Sequence, residues 1–183
     1  MRVIAGLYKG RRLEAPDWAG LRPTSDKLRE TLFNVLAGRV RGGTMLDAYA
    51  GTGAVGIEAL SRGAAHVTFI DADPRARQLV ERNLQRCGIR AGYAIIRADL
   101  RGTVALPARA PFDLVYLDPP YHCESTAVVQ TVGGWLTAGG TLVLEHARRG
   151  GAADRAGDLV RTRTIVSGDS ALAIYRRAGD PLP

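Results

Sequence analysis

From residue 44 onward, short apolar runs alternate with segments of helical periodicity, and this alternation narrows the possible folds more than any other feature of the chain. TMLDA (44–48), HVTFID (66–71), YAIIRA (93–98), DLVYLD (113–118) and TLVLE (141–145) read as strands, apolar enough to be covered on both faces. The stretches between them have room for crossover helices, as parallel neighbours require. Residues 74–87 put Ala76, Leu79, Val80, Asn83, Leu84 and Cys87 on one helical face, and Gly88 suits the left-handed turn that ends such a helix. The last stretch breaks the pattern. Runs 159–166 and 171–175 are joined only by Ser167-Gly168-Asp169-Ser170, too short for a crossover, so they predict an antiparallel hairpin. The expectation is an α/β fold with a mainly parallel seven-stranded sheet ending in that hairpin. At 183 residues and 46% hydrophobic, the chain has the size and apolar content of one folded domain.

Residues 1–22 read as a β-hairpin-like extension turning at Gly10, set apart from a main domain at 23–183. From Pro23, residues Leu28, Leu32, Phe33 and Leu36 form an apolar stripe at helical spacing, with Thr24 or Ser25 as the N-cap. The net charge is +7, and residues 1–41 hold nine basic against four acidic residues, a net of +5. Charge concentrated in a small appendage favours a polyanionic partner, with Arg2, Lys9, Arg11 and Arg12 as expected RNA contacts and Trp18 as a candidate base contact. The two cysteines, Cys87 and Cys123, make no disulfide framework, and His122-Cys123 lacks zinc spacing. A reduced, cytoplasmic setting without a metal or a membrane span is expected. The composition of loop 101–111 matches no functional feature.

Residues 47–56, DAYAGTGAVG, fit G-x-G-x-x-G between a strand and a helix, a turn tight enough for a ligand to approach the backbone at Ala50, Gly51, Thr52 and Gly53. Asp71 closes the next strand, where a carboxylate can accept both hydroxyls of a ribose, and Asp99 at the end of the third strand is in range of an adenine edge. Dinucleotides and S-adenosylmethionine both use this arrangement. Asp47 separates them, because a carboxylate at the strand mouth repels a pyrophosphate and attracts the amino group of a methionine moiety. The pattern points to a Rossmann-like, class I S-adenosylmethionine-dependent methyltransferase with no metal.

Strand four runs into Asp118-Pro119-Pro120-Tyr121. Two prolines can merely end a strand, but that leaves Asp118 and Tyr121 unexplained. In a sheet ordered 3-2-1-4-5, Asp118 is expected across the crevice from Gly51 and Gly53. The exocyclic amine of a nucleobase is a poor nucleophile. The Asp118 carboxylate and the Pro119 carbonyl can each accept one of its N–H bonds and aim its lone pair, while Tyr121 stacks on the base.

The segments RVIAGLYKGRRL, RPTSDKLRETLFNVL (22–36), DAYAGTGAVGIEALSRGA (47–64), DPPY (118–121) and SGDSALAIYRR together resemble the bacterial 16S ribosomal RNA guanine-N2 methyltransferases of the RsmD type. The resemblance implies methyl transfer from S-adenosylmethionine to N2 of one guanine in small-subunit rRNA, on an assembled or late-assembling 30S particle. The sequence carries no signal of a large oligomeric interface, so a monomer is expected, and 183 residues leave little room for the added target-recognition region of a DNA enzyme, so DNA is not expected as substrate. It assigns Asp47, Gly51 and Gly53 to the methyl-donor motif, Asp71 to the ribose, Asp99 to the adenine and Asp118 to Tyr121 to catalysis. It also places Arg22, Thr24 and Arg29 in a signature segment, with Arg22 and Arg29 as further RNA contacts. Asp71 stands where relatives often carry Glu. The rival readings are a nucleic-acid adenine-N6 methyltransferase, a non-catalytic RNA-binding assembly factor and, more distantly, a nicotinamide-dependent oxidoreductase.

Overall fold

The computed structural model describes every residue except 19–23, 103–106, 109, 121–124 and 181–183. The chain divides into two compact units, Met1–Ala98 and Asp99–Pro183, and the N-terminal extension falls inside the first.

In the first unit, α1 (Asp26–Val35) is followed by β1 (Thr44–Ala48), α2 (Ala54–Ser61), β2 (His66–Ile70), α3 (Pro74–Arg86) and β3 (Tyr93–Ile96). The strands pair in parallel, ordered β3-β2-β1, with Asp47 opposite Phe69 and Ile70 opposite Ile96. Ser25 caps α1, its hydroxyl accepting from the Leu28 amide at 3.2 Å, and Leu28, Leu32, Phe33 and Leu36 are buried as their spacing requires. Asp73 caps α3, and Gly88 follows that helix at φ +65°. Phe69 and Leu79 are fully buried, each contributing about 2–3 kcal/mol of apolar transfer energy. Helix α2 lies close on β2 because Gly56 has no side chain; a Cβ there would stand 2.3 Å from Phe69 Cε1.

The extension forms a hairpin with a bridge between Arg2 and Arg12 and a turn at Gly10, whose amide donates to Val3 O at 2.9 Å. Its inner edge is bonded to the helices behind it. The Ile4 and Ala5 amides donate to the Glu58 carboxylate at 2.7 and 2.9 Å, and the Leu7 amide donates to Ser61 O at 2.8 Å. Glu14 N donates to Asn83 Oδ1 at 2.7 Å, and the Arg11 guanidinium donates to the Cys87 carbonyl. Val3 and Leu13 are buried.

The second unit contains β4 (Phe112–Leu117), α4 (Ser125–Gly133), β5 (Leu136–Ala147), β6 (Arg155–Ala156), β7 (Leu159–Ser167) and β8 (Ser170–Arg177). Its strand order is β4-β5-β8-β7-β6. Strands β4 and β5 are parallel and the remaining pairs antiparallel, with β7 and β8 forming the expected hairpin around Gly168 at φ +64°. The two-residue β6 at the edge brings the described strands to eight, one beyond the expected seven. Strand β5 starts at Leu136, five residues before the apolar run predicts, because Leu136 pairs with Phe112 ahead of the glycines Gly139 and Gly140. No helix among the described residues is long and apolar enough to cross a membrane.

Candidate active site

In the first unit the structure gathers the glycine loop and its two aspartates around the C-terminal ends of β1 and β2. The loop makes three successive departures from right-handed backbone: Tyr49 at φ +60°, Gly51 at φ +56° and Gly53 at φ +74°. Such values suit glycine and are costly for tyrosine, so Tyr49 is a strained residue at the entrance to the motif that the sequence pattern did not flag. Gly53 is the N-cap of α2 and offers no side chain to it, while the Thr52 hydroxyl accepts from Ala54 N at 3.3 Å. A Cβ on Gly53 would fall 3.2 Å from both Val80 methyl groups. Gly53 thus serves both its left-handed backbone and close packing against Val80, and the loop forms a backbone cradle at a helix N-terminus.

Asp71 lies immediately after β2 and braces this cradle: Oδ2 accepts from Gly51 N at 2.9 Å and Oδ1 from Asp73 N at 2.9 Å. Each oxygen keeps a second acceptor site. Asp47 is 1% exposed and its Oδ2 accepts from Gly56 N at 2.8 Å. Burial pushes its carboxyl up to about 8, against the lowering effect of the Gly56 amide and with a smaller upward push from Asp71. Asn83, fully buried, is a connector whose role the periodicity alone did not reveal. Its amide nitrogen donates to Thr52 O at 2.9 Å in the cradle and to Glu14 O at 3.2 Å in the extension.

Asp99, in the second unit, lies three residues beyond the end of β3 rather than at its tip. It is exposed and held by Arg101, whose Nε and Nη2 reach its two oxygens at 2.9 and 2.7 Å. These hydrogen bonds draw its carboxyl down to about 2. The start of loop 101–111 thus has a partner for one of its side chains.

Asp118 follows β4 directly and, with Pro119 and Pro120, lines an open cleft of about 150 Å³ shared with Ser125, Glu145 and His146. Strand register explains the grouping. Leu117 pairs with Leu144, so Asp118, just past β4, stands level with Glu145, two residues before the end of β5, at the carboxyl ends where ligands of such sheets bind. Glu145 accepts from the hydroxyl of the buried Tyr116, and His146 Nδ1 is 2.9 Å from Ala147 O. Sequence reasoning missed Glu145. Its signal was a carboxylate inside the apolar run TLVLE.

Among the expected RNA contacts, Arg2, Lys9, Arg11 and Arg12 are exposed on the extension, Arg11 also lying over the Tyr8 ring at 5.2 Å. Tyr121, Arg22 and the pair His122-Cys123 lie outside the described residues. Trp18 is partly buried beneath Arg75, whose guanidinium is 5.1 Å from its ring centre. Arg29 is a correction. It is 0% exposed, pairs with Asp26 at 2.6 Å, donates to Arg2 O at 2.7 Å and stands 3.9 Å from Glu58. A nucleic acid cannot reach it.

A protein family described as conserved hypothetical protein 95 matches residues 1–176 of this chain. The ribosomal RNA small subunit methyltransferase D of Escherichia coli K12 is 35% identical over 97% of this chain and 90% of its own length. The protein of the same name from Haemophilus influenzae is 37% identical over 79% of this chain and 78% of its own. The solved structure of Escherichia coli yhhF superposes with a TM-score of 0.80 at 32% identity, covering 97% of each chain. The fold is the Rossmann-like α/β fold of class I methyltransferases, and the chain belongs to the family of the small-subunit ribosomal RNA methyltransferases D.

Proposed function

We propose that this protein transfers a methyl group from S-adenosylmethionine to the exocyclic N2 amine of one guanine in 16S rRNA, on an assembled or late-assembling small subunit. The observation that carries the reading is the Asp118-Pro119-Pro120 turn lining an open cleft at the end of β4, in a chain whose curated relatives are named for methylating small-subunit rRNA. The cradle at Ala50, Gly51, Thr52 and Gly53 suits the methyl donor: its glycines at positive φ make a tight strand-to-helix turn, and no side chain caps α2 there. Asp71 keeps an acceptor site on each oxygen for the ribose hydroxyls, and the Asp47 carboxyl, raised by burial, would ionise to receive the amino group. Asp99 would meet the adenine while sharing its carboxylate with Arg101. The bound donor supplies an electrophilic methyl on a sulfonium.

The residues of the second unit then prepare the nucleophile. Asp118 and the Pro119 carbonyl accept the two N–H bonds of the guanine amine, which turns its lone pair outward and raises its electron density, and Asp118 takes the proton the amine loses once the N–CH3 bond has formed. Proline fixes that carbonyl, since neither ring can rotate about φ. Tyr121 offers a stacking face. Arg2, Lys9, Arg11, Arg12 and Arg22 are assigned to the phosphate backbone, and the protein is expected to act as a cytoplasmic monomer that does not take DNA as substrate.

Incubation of purified small subunits with tritiated S-adenosylmethionine, followed by nucleoside analysis, tests the reading. N2-methylguanosine is the expected product, N6-methyladenosine would overturn the base assignment, and no labelled nucleoside would overturn the enzymatic one. Asp118→Ala should lower kcat by about 10²–10⁴-fold with donor affinity unchanged.

A further inference from the structure

We propose that Glu145 is the residue that tells guanine from adenine in the Asp118 cleft, by accepting the N1–H of the bound base; the inference rests on the guanine reading above. Three observations place it. Glu145 lines the same cleft as Asp118. It stands near the end of β5 at the level where Asp118 leaves β4, as the pairing of Leu117 with Leu144 requires, and adjacent strands are about 4.8 Å apart. One of its carboxylate oxygens, Oε2, is fixed by the Tyr116 hydroxyl, whereas Oε1 has no hydrogen-bond partner among the described residues. The side chain is 9% exposed, and Tyr116 is 2% exposed. A carboxylate anchored by one oxygen, with the other facing a cleft and without a partner among the described residues, is a preorganised acceptor.

The chemistry of the bases makes this acceptor selective. Along its Watson–Crick edge guanine offers two neighbouring donors, N1–H and the N2 amine, so two carboxylates side by side match it: Asp118 for the amine that is methylated and Glu145 for N1–H. Adenine presents at N1 a lone pair instead of a hydrogen. Its amine could still reach Asp118, but N1 would then face the Glu145 carboxylate with no proton between them, leaving two buried acceptors opposed. A site built around a substrate donor rejects an analogue lacking it by about 10⁴–10⁵-fold, far more than shape alone achieves. Tyr116 acts through Glu145 as a positioning residue.

The test is a comparison of bases as well as of variants. Small subunits are reconstituted with guanine or with 2,6-diaminopurine at the position that nucleoside analysis identifies; the analogue keeps the 2-amine but has an N1 acceptor. Wild-type protein should methylate the guanine particle at least 10³-fold faster in kcat/KM. Glu145→Gln, whose amide can donate to an N1 acceptor, should lose about 10²-fold or more on guanine and gain on the analogue, with donor affinity and urea midpoint unchanged. Tyr116→Phe should lose a smaller factor, about 10-fold, on guanine alone. Equal guanine activity in Glu145→Gln, or a loss of the same size on both bases, would refute the assignment. If wild-type protein makes no N2-methylguanosine at all, it is the underlying function that fails.

Discussion

Replacing Arg29 by methionine separates a buried structural cation from an RNA contact, because the two roles predict opposite results. Methionine keeps much of the aliphatic volume, so the apolar packing of α1 against its neighbours changes little and the loss is mainly electrostatic. The Asp26 partner is half exposed, and such a pair is worth at most about 1 kcal/mol. The charge-assisted bond to Arg2 O at 2.7 Å is worth about 1.5–3 kcal/mol. Glu58, 0% exposed, would lose its neighbouring cation at 3.9 Å but keep the Ile4 and Ala5 amides and Arg62 Nε at 2.8 Å as donors. It is not orphaned, so the total falls at the lower end of the 3–5 kcal/mol typical of breaking a buried pair, about 3 kcal/mol. With a urea slope of about 2 kcal/mol per M, the midpoint should drop by about 1.5 M, and Tm by about 6–12 °C for a chain of this size. Urea unfolding followed by circular dichroism, alongside KM for small subunits measured well below Tm, gives both readouts. A midpoint unchanged within 0.2 M together with a raised KM would show that the guanidinium faces RNA after all.

Gly56→Ala places a methyl 2.3 Å from Phe69 Cε1 and 2.8 Å from a Val67 methyl, so overpacking should cost about 1–3 kcal/mol in thermal unfolding, and Phe69→Leu in the same chain should recover part of it. The buried Asp47 ionises near 4 when unfolded but only near 8 when folded, so between these values the unfolded state holds fewer protons and stability falls as pH rises. Asp47→Asn should flatten that slope; an unchanged pH dependence of the urea midpoint would show that Asp47 is not its source. If the Asp47 carboxylate receives the donor's amino group, the wild-type donor affinity should rise with pH through the same window, and isothermal titration at pH 6 and pH 8 measures it.

The parallel order of strands and the final hairpin were legible because period-2 runs, crossover lengths and the short Ser167–Ser170 connection each allow few alternatives. What escaped was the burial of charge. Arg29 read as an exposed signature residue, yet it precedes Phe33 by four positions and Leu36 by seven, which puts it on the apolar face of α1 and was the available sign that it points inward. Glu58 within AVGIEALS and Glu145 within TLVLE carry the same kind of signal. A lone charge in an apolar run has no partner visible in sequence, since its partners come from elsewhere in the chain: Ile4 and Ala5 for Glu58, Tyr116 for Glu145. The glycine motif was legible as a turn. Its bracing by Asp71 and Asn83 was not, because hydrogen bonds 20 and 31 residues long in sequence leave no periodic trace.

The extension joins both themes, and its architecture decides how its function must be tested. Its backbone is bonded inward, to Glu58, Ser61 and Asn83, while Arg2, Lys9 and Arg12 face solvent and Leu7 at the turn is 78% exposed. Deleting residues 1–20 would remove two donors from the buried Glu58 and strip Asn83 of Glu14, and Asn83 also holds Thr52 in the cradle. Buried groups left unsatisfied cost about 1–3 kcal/mol each, so the deletion should weaken donor binding and stability together with RNA binding and cannot isolate the last. Replacing only the outward charges does isolate it. In Arg2→Ala/Lys9→Ala/Arg12→Ala every inward backbone bond survives, so the urea midpoint and donor affinity should stay at wild-type values. Three lost phosphate contacts should raise KM for small subunits and reduce the slope of log KM against log salt concentration by about 2–3. A triple variant with wild-type KM and salt slope would mean that the basic face is a solvated surface and that the extension exists to hold α2 and the cradle in place.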